Sequence, residues 1–228
     1  MTVFQRARSA EQREVRRHAI LDTAAAMLSE MPAADITLNE LSRRVGLAKS
    51  NVLRYFESRE AVLLELLAAQ WQEWLTALAA DLGEGVTAGA PVANRGDAVA
   101  AVLAISLAAR PVLCDLISAQ AAVLERNVSP QIAATYKRST LAGFGDLGTL
   151  LGRHLPELGD QDTWRLAGAT VITAGALWQQ CQPSAAMLAA YEADPDLAAL
   201  RLDFTPTLRE FTEVLISGLL ARAGIPSR

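Results

Sequence analysis

The stretch TLNELSRRVGLAKSNVLRYFESRE, residues 37–60, decides the fold. Thr37 stands three residues ahead of Glu40, and apolar Leu41 and Val45 follow at helical spacing, the capping-box pattern of a helix start. Gly46 marks the end of that helix, because glycine takes a positive φ without steric cost. A second short helix is predicted from about Ala48 to Phe56. At 100° per residue, Val52, Leu53 and Phe56 fall on its inner side, and Ser50, Asn51, Arg54 and Tyr55 on its outer side. Ser58 then caps a longer helix, with Glu60 in the first turn complementing its dipole.

Upstream, Ile20, Ala24, Met27, Leu28 and Met31 share one face of a helix predicted from about Ala10 to about Met31, which Pro32 ends. The first ten residues, with Arg6 and Arg8, read as a mobile arm. Downstream, the Ser58 helix reaches about Leu82 and carries Leu63, Leu67, Trp71, Trp74 and Leu78. Residues 82–96, rich in Gly and holding Pro91, read as a linker. Five more helices are predicted near Asp97–Ala109, Pro111–Asn127, Pro130–His154, Gln161–Gln180 and Thr205–Ala223. A short helix over Ala185–Tyr191 fits inside the last connection. No strand is required, and the Ala- and Leu-rich composition favours helix. The expected fold is all-α, with about nine helices. Residues 1–59 form a three-helix unit with an N-terminal arm, and residues 60–228 a second helical unit.

Charge separates the same two regions. The net charge is −4, yet residues 1–56 hold nine Arg or Lys against six Asp or Glu, while the remainder holds twelve against nineteen. A basic end on an acidic body suits contact with a polyanion at that end alone. No apolar run approaches the length of a membrane span, and no secretory leader pattern is present. Cys114 and Cys181 form neither a metal motif nor a disulfide framework, which suits a reducing cytoplasm.

Two short helices joined through Gly46-Leu47-Ala48 make a helix-turn-helix. Its second helix has the chemistry of a duplex reader. Arg54 suits guanine, Asn51 suits adenine, and Ser50 can donate or accept at a base edge. Thr37, Lys49, Tyr55 and Arg59 are candidates for phosphate contact, which positions the protein without naming a sequence. Arg6 and Arg8 either enter a minor groove or stay in solvent.

The run Ile20–Ala24, then Thr37–Leu41, then Gly46–Glu60 resembles the N-terminal domain of TetR-type transcriptional regulators. The resemblance spans roughly residues 12–67 and is carried by the spacing of Gly46, Leu53, Tyr55, Phe56, Ser58, Arg59 and Glu60. It departs from the family pattern at Ala48, where a capping Ser or Thr is common, and at Leu53, where a phosphate-touching Tyr is common. Ala48 cannot cap with a side chain and Leu53 cannot donate to phosphate. Arg59 replaces the family's Lys and keeps its charge.

The resemblance implies a homodimer and a small-molecule site in the C-terminal helices. For the dimer, the residues offer Gly168, Val171, Gly175 and Trp178 on one helix and Phe211 and Leu215 on the last. For an apolar or amphipathic ligand they offer Trp71, Trp74, Leu116, Gln120, Tyr136 and Phe144. The expected partners are operator DNA, a second copy and that ligand, with no membrane and no cofactor. The expected function is a repressor released from a palindromic operator; a regulator without an effector, or an activator, fits the same residues. His18 and His154 are the only histidines, and no catalytic triad, phosphate loop or zinc spacing is present, so neither an enzyme nor a metal site is expected.

Overall fold

In the structure, a computed structural model, residues 3–224 are described, with side chains from residue 11 onward. Those residues form eleven α-helices and one π-helical turn, with no strand among them. The first four are α1 (Val3–Leu28), α2 (Leu38–Val45), α3 (Lys49–Val52) and α4 (Arg59–Gly85). Next come α5 (Val92–Ala108), α6 (Pro111–Ala119), the π-helical turn Gln120–Leu124 and α7 (Pro130–His154). The last are α8 (Asp160–Gln180), α9 (Ala185–Ala193), α10 (Pro195–Ala198) and α11 (Phe204–Ala223). No single helix among them is long and apolar enough to cross a membrane.

The helix-turn-helix forms as its local chemistry dictates. The Thr37 hydroxyl accepts from the Glu40 N–H at 3.2 Å. Only half of the capping box closes, because Arg43 and Arg44 take the Glu40 carboxylate instead and hold its pKa down to about 2. Gly46 sits at φ 72°, ψ 29°, and the Leu47 N–H reaches back to the Ser42 carbonyl at 3.0 Å. Ser58 caps α4 through the Ala61 N–H at 3.1 Å.

The long helix α4 is the frame. Its first half packs on α1, and its length also meets α5, α6 and α7. In the C-terminal unit α5 lies on α11, and α8 lies on α6, α7 and α11. The hydrophobic core runs unbroken from Ile20 to Leu219.

Several boundaries differ from the sequence reading. The backbone is helical from Val3, in place of an arm reaching to residue 10; Arg6 and Arg8 lie outside the described side chains. The 82–96 linker shrinks to residues 86–91, since Pro91 precedes the start of α5. Gly96, counted with that linker, lies inside α5, where a Cβ would stand 2.9 Å from the Ile216 Cγ2 of α11. The predicted Pro111–Asn127 helix gives way to the π-helical turn after Ala119. The α9–α10 segment buries none of its residues and packs chiefly on itself, leaving Met187, Leu188, Leu197, Leu200 and Leu202 exposed.

Replacing Gly46 by Ala places a side chain in the left-handed region and lowers unfolding free energy by about 1 kcal/mol. A thermal melt checks this; an unchanged midpoint would contradict the turn geometry.

Candidate nucleic-acid interface and effector cavity

A four-residue helix cannot hold its own shape in water. Three contacts hold α3. Val52 and Phe56 are buried in the core. The Arg17 guanidinium lies over the Phe56 ring, 4.3 Å from its centroid. The same group donates to the Tyr55 carbonyl at 2.9 Å and makes a two-armed ion pair with Glu65 of α4. One side chain of α1 thus ties the reading segment to α4.

Lys49, Ser50, Asn51 and Arg54 all face solvent, as a duplex-reading surface requires. Thr37 is exposed at its edge, and Tyr55 is half-buried. Leu53, expected inside, is instead 42% exposed. After Val52 the chain tightens into i→i−3 bonds, from Arg54 N–H to the Asn51 carbonyl (3.2 Å) and from Tyr55 N–H to the Val52 carbonyl (2.9 Å). That winding, with Tyr55 drawn onto the core, leaves the inner side to Val52 and Phe56.

Arg59 also departs from expectation. It donates to the Ala34 carbonyl at 3.1 Å, to the Ile36 carbonyl, and to Glu60 at 2.9 Å. Its charge holds the α1–α2 connection to the start of α4 instead of standing free for phosphate. Exposed cations also stand on α1, a source the sequence reading missed: Arg16, and Arg13, which lies over the Tyr55 ring and donates to the Arg54 carbonyl at 3.4 Å. Arg13 and Arg16 surround a surface groove with Gln12, Arg54 and Tyr55. The available signal was the run Arg13-Glu14-Val15-Arg16-Arg17, whose cations reach the reading face from a different helix.

The candidate effector cavity lies where α4, α6, α7 and α8 meet. Its walls are Leu67, Ala68, Trp71, Ile117, Gln120, Tyr136, Ser139, Thr140, Phe144 and Val171. Of the predicted lining, Trp71, Gln120, Tyr136 and Phe144 are present. Trp74 and Leu116 are not: both are fully buried core residues, and the Trp74 indole N–H donates to Ser106 Oγ at 3.1 Å. Trp71 stacks edge-on against Phe144, with ring centroids 5.4 Å apart. Its own N–H is buried without a hydrogen-bond partner. Burial pushes the Tyr136 phenol up to about 12, so it stays a neutral donor. None of the described wall residues is charged. The cavity is small, at about 30 Å³.

Residues 20–66 match the profile of bacterial regulatory proteins of the tetR family, and residues 68–223 match that of the tetracyclin repressor-like C-terminal domain. The chain belongs to the TetR family. It is therefore a DNA-binding transcriptional regulator, and its helix-turn-helix is the DNA-binding element. Over 49 residues it is 45% identical to the HTH-type transcriptional regulator EthR of Mycobacterium tuberculosis, a match spanning 22% of this chain and only 23% of EthR. The fold is shared over most of its length with solved structures. The fatty acid degradation regulator FadR from Bacillus halodurans is 16% identical with TM-score 0.54, covering 89% of this chain and 98% of that one. A TetR regulator from Rhodococcus sp. RHA1 is 14% identical with TM-score 0.55, covering 93% and 98%. FadR from Bacillus subtilis, solved in complex with stearoyl-CoA, is 14% identical with TM-score 0.53, covering 88% and 98%.

In this TetR regulator the outer faces of α8 and α11 are apolar. Trp164 and Ile172 are 39% and 73% exposed on α8, and Phe211 and Val214 are 51% and 68% exposed on α11. Gly168 falls on the same α8 stripe and Leu215 beside Val214. Three other expected dimer residues turn inward. Val171 is buried at the cavity, and a Cβ on Gly175 would meet Ile117 Cγ2 of α6 at 3.0 Å. Trp178 packs edge-on against Phe204, 5.2 Å between centroids. Gly175 serves the approach of α8 to α6 while Gly168 meets nothing within 4 Å, a distinction that composition alone does not show.

Arg54→Ala is expected to weaken binding to a preferred duplex by about 1–3 kcal/mol and relax one base preference, whereas Arg16→Ala weakens all duplexes and lowers the salt slope by about one. Titrations at several salt concentrations separate the two. Arg59→Ala is expected to lower the melting temperature while leaving the salt slope unchanged; a flattened slope would return Arg59 to the phosphate contacts.

Proposed function

We propose that the protein is a homodimeric repressor that reads a palindromic operator and leaves it when a small, uncharged, largely apolar ligand binds. The observation that carries this reading is that α4 and α6 each serve both ends of the molecule. The α4 helix starts at the reading segment and places Trp71 on the cavity wall. The α6 helix places Ile117 on the same wall, while its Asp115 accepts from the Ala33 N–H at 2.7 Å. Beyond the π-helical turn, the Ser129 N–H donates to Glu57 at 2.6 Å, beside the reading segment.

The ligand class follows from the wall. It is largely aromatic and aliphatic, without charge, and its polar groups are the neutral Tyr136 hydroxyl, Ser139, Thr140 and the Gln120 amide, whose Nε2 also donates to Glu125 at 2.8 Å. Ligand sites commonly hold about 300–1,000 Å³, far more than the present cavity. Entry therefore favours an opened arrangement of α4, α6 and α7, which supplies the differential affinity that a switch needs. For the second copy, the exposed α8–α11 face is the apolar surface of the right kind, and a two-fold dimer would set two α3 segments on successive turns of a duplex. On this reading Thr37, Lys49, Ser50, Asn51, Arg54 and Tyr55 contact DNA.

Selection from random duplexes at near-physiological salt tests the proposal. Recovery of a palindrome with half-sites about one helical turn apart is expected; a folded protein that selects no sequence would overturn it. Ile172→Glu sets a charge on the α8–α11 face and is expected to yield a folded monomer with weakened operator binding. A dimer persisting in sedimentation would move the interface elsewhere.

A further inference from the structure

The outward position of Leu53 has a consequence for base reading. Among the described residues up to 59, Val15 and Leu53 are the large apolar side chains left exposed. A lone exposed leucine is ordinary on a protein surface. This one stands inside the reading segment, between Asn51 and Arg54 and three residues beyond Ser50, all of them solvent-facing. It contributes little to holding that segment, since Val52 and Phe56 fill the core side and Arg17 covers Phe56. It can neither donate to a phosphate nor bond a base edge. In the major groove the one apolar group a base presents is the 5-methyl of thymine.

We propose that Leu53 is a specificity-determining residue that packs against a thymine 5-methyl group in each operator half-site. The inference rests on the operator-binding reading above and adds a base that the polar residues do not name. Arg54 and Asn51 select purines by hydrogen bonds, and Leu53 selects a thymine by burying its methyl. Burial of one methyl corresponds to about fourfold in affinity, and to about fifteenfold when both half-sites of a palindrome are altered.

The test replaces each thymine of the selected duplex in turn by deoxyuridine, which lacks only the methyl. The parent protein is expected to lose about fourfold per half-site at one symmetry-related position. Leu53→Ala is expected to bind the thymine and deoxyuridine duplexes equally, and Leu53→Met to restore the difference. A melting curve for each variant confirms folding, which an exposed position should spare. Indifference of the parent protein to every substitution, a methyl effect that persists in Leu53→Ala, or a selected half-site without thymine would each overturn the proposal while leaving operator binding intact. Failure to select any sequence would overturn both readings together.

Discussion

The Arg17 guanidinium is the contact on which the reading surface depends. It covers the Phe56 ring, donates to the Tyr55 carbonyl and pairs with Glu65. Without it the segment after Val52 would keep its turn bonds, the buried Phe56 ring and the Arg13 contact to the Arg54 carbonyl, but not the tie to α4, and a one-turn helix has no cooperative reserve. A reader of base edges needs side chains held in fixed register, because a bidentate contact tolerates little displacement. The clamp supplies that register from α1 and α4, which have the length and buried area that α3 lacks. It also spends a cation on structure. Arg59 is spent likewise on the carbonyls of Ala34 and Ile36, whereas Lys49, Arg54 and Arg16 keep their charge exposed around the reading segment.

The same economy of elements links the two ends of the molecule. The cavity has no charged wall, and the unsatisfied Trp71 N–H beside it is packed against Gly143 of α7. The helix α6 and the π-helical turn pass from that wall to the Ala33 and Glu57 contacts. Shifting one end of so short a path strains the other, which gives the proposed release a mechanical route through named bonds. The π-helical turn sits at Gln120, where the path leaves the cavity.

Features set by local chemistry were legible before the structure. The Thr37 and Ser58 caps, the Gly46 stop, the start of α7 at Pro130 and the buried Ile20, Ala24 and Met27 face need only neighbouring residues to be read. What escaped depends on elements distant in sequence. Leu53 faces outward because α1 draws Tyr55 and Phe56 onto the core, which a helical wheel of α3 does not contain. Gly96 marks close contact with α11 instead of a linker, and Gly175 marks contact with α6 instead of a partner subunit. Trp74 and Leu116 belong to the same helices as the cavity wall yet point into the core. The cavity itself was half legible: aromatic residues grouped on α4 and α7 indicated it, while Ser139, Thr140 and Ile117 carry no signal of their own.

Amide hydrogen exchange across residues 49–56, in the parent protein and in Arg17→Met, tests the clamp most directly. The account predicts that the Leu53 to Phe56 amides lose protection in the variant while the amides of α5 to α8 keep theirs. Equal protection of the reading segment in both proteins would show that Val52 and Phe56 suffice to hold it, and would contradict the role given to Arg17.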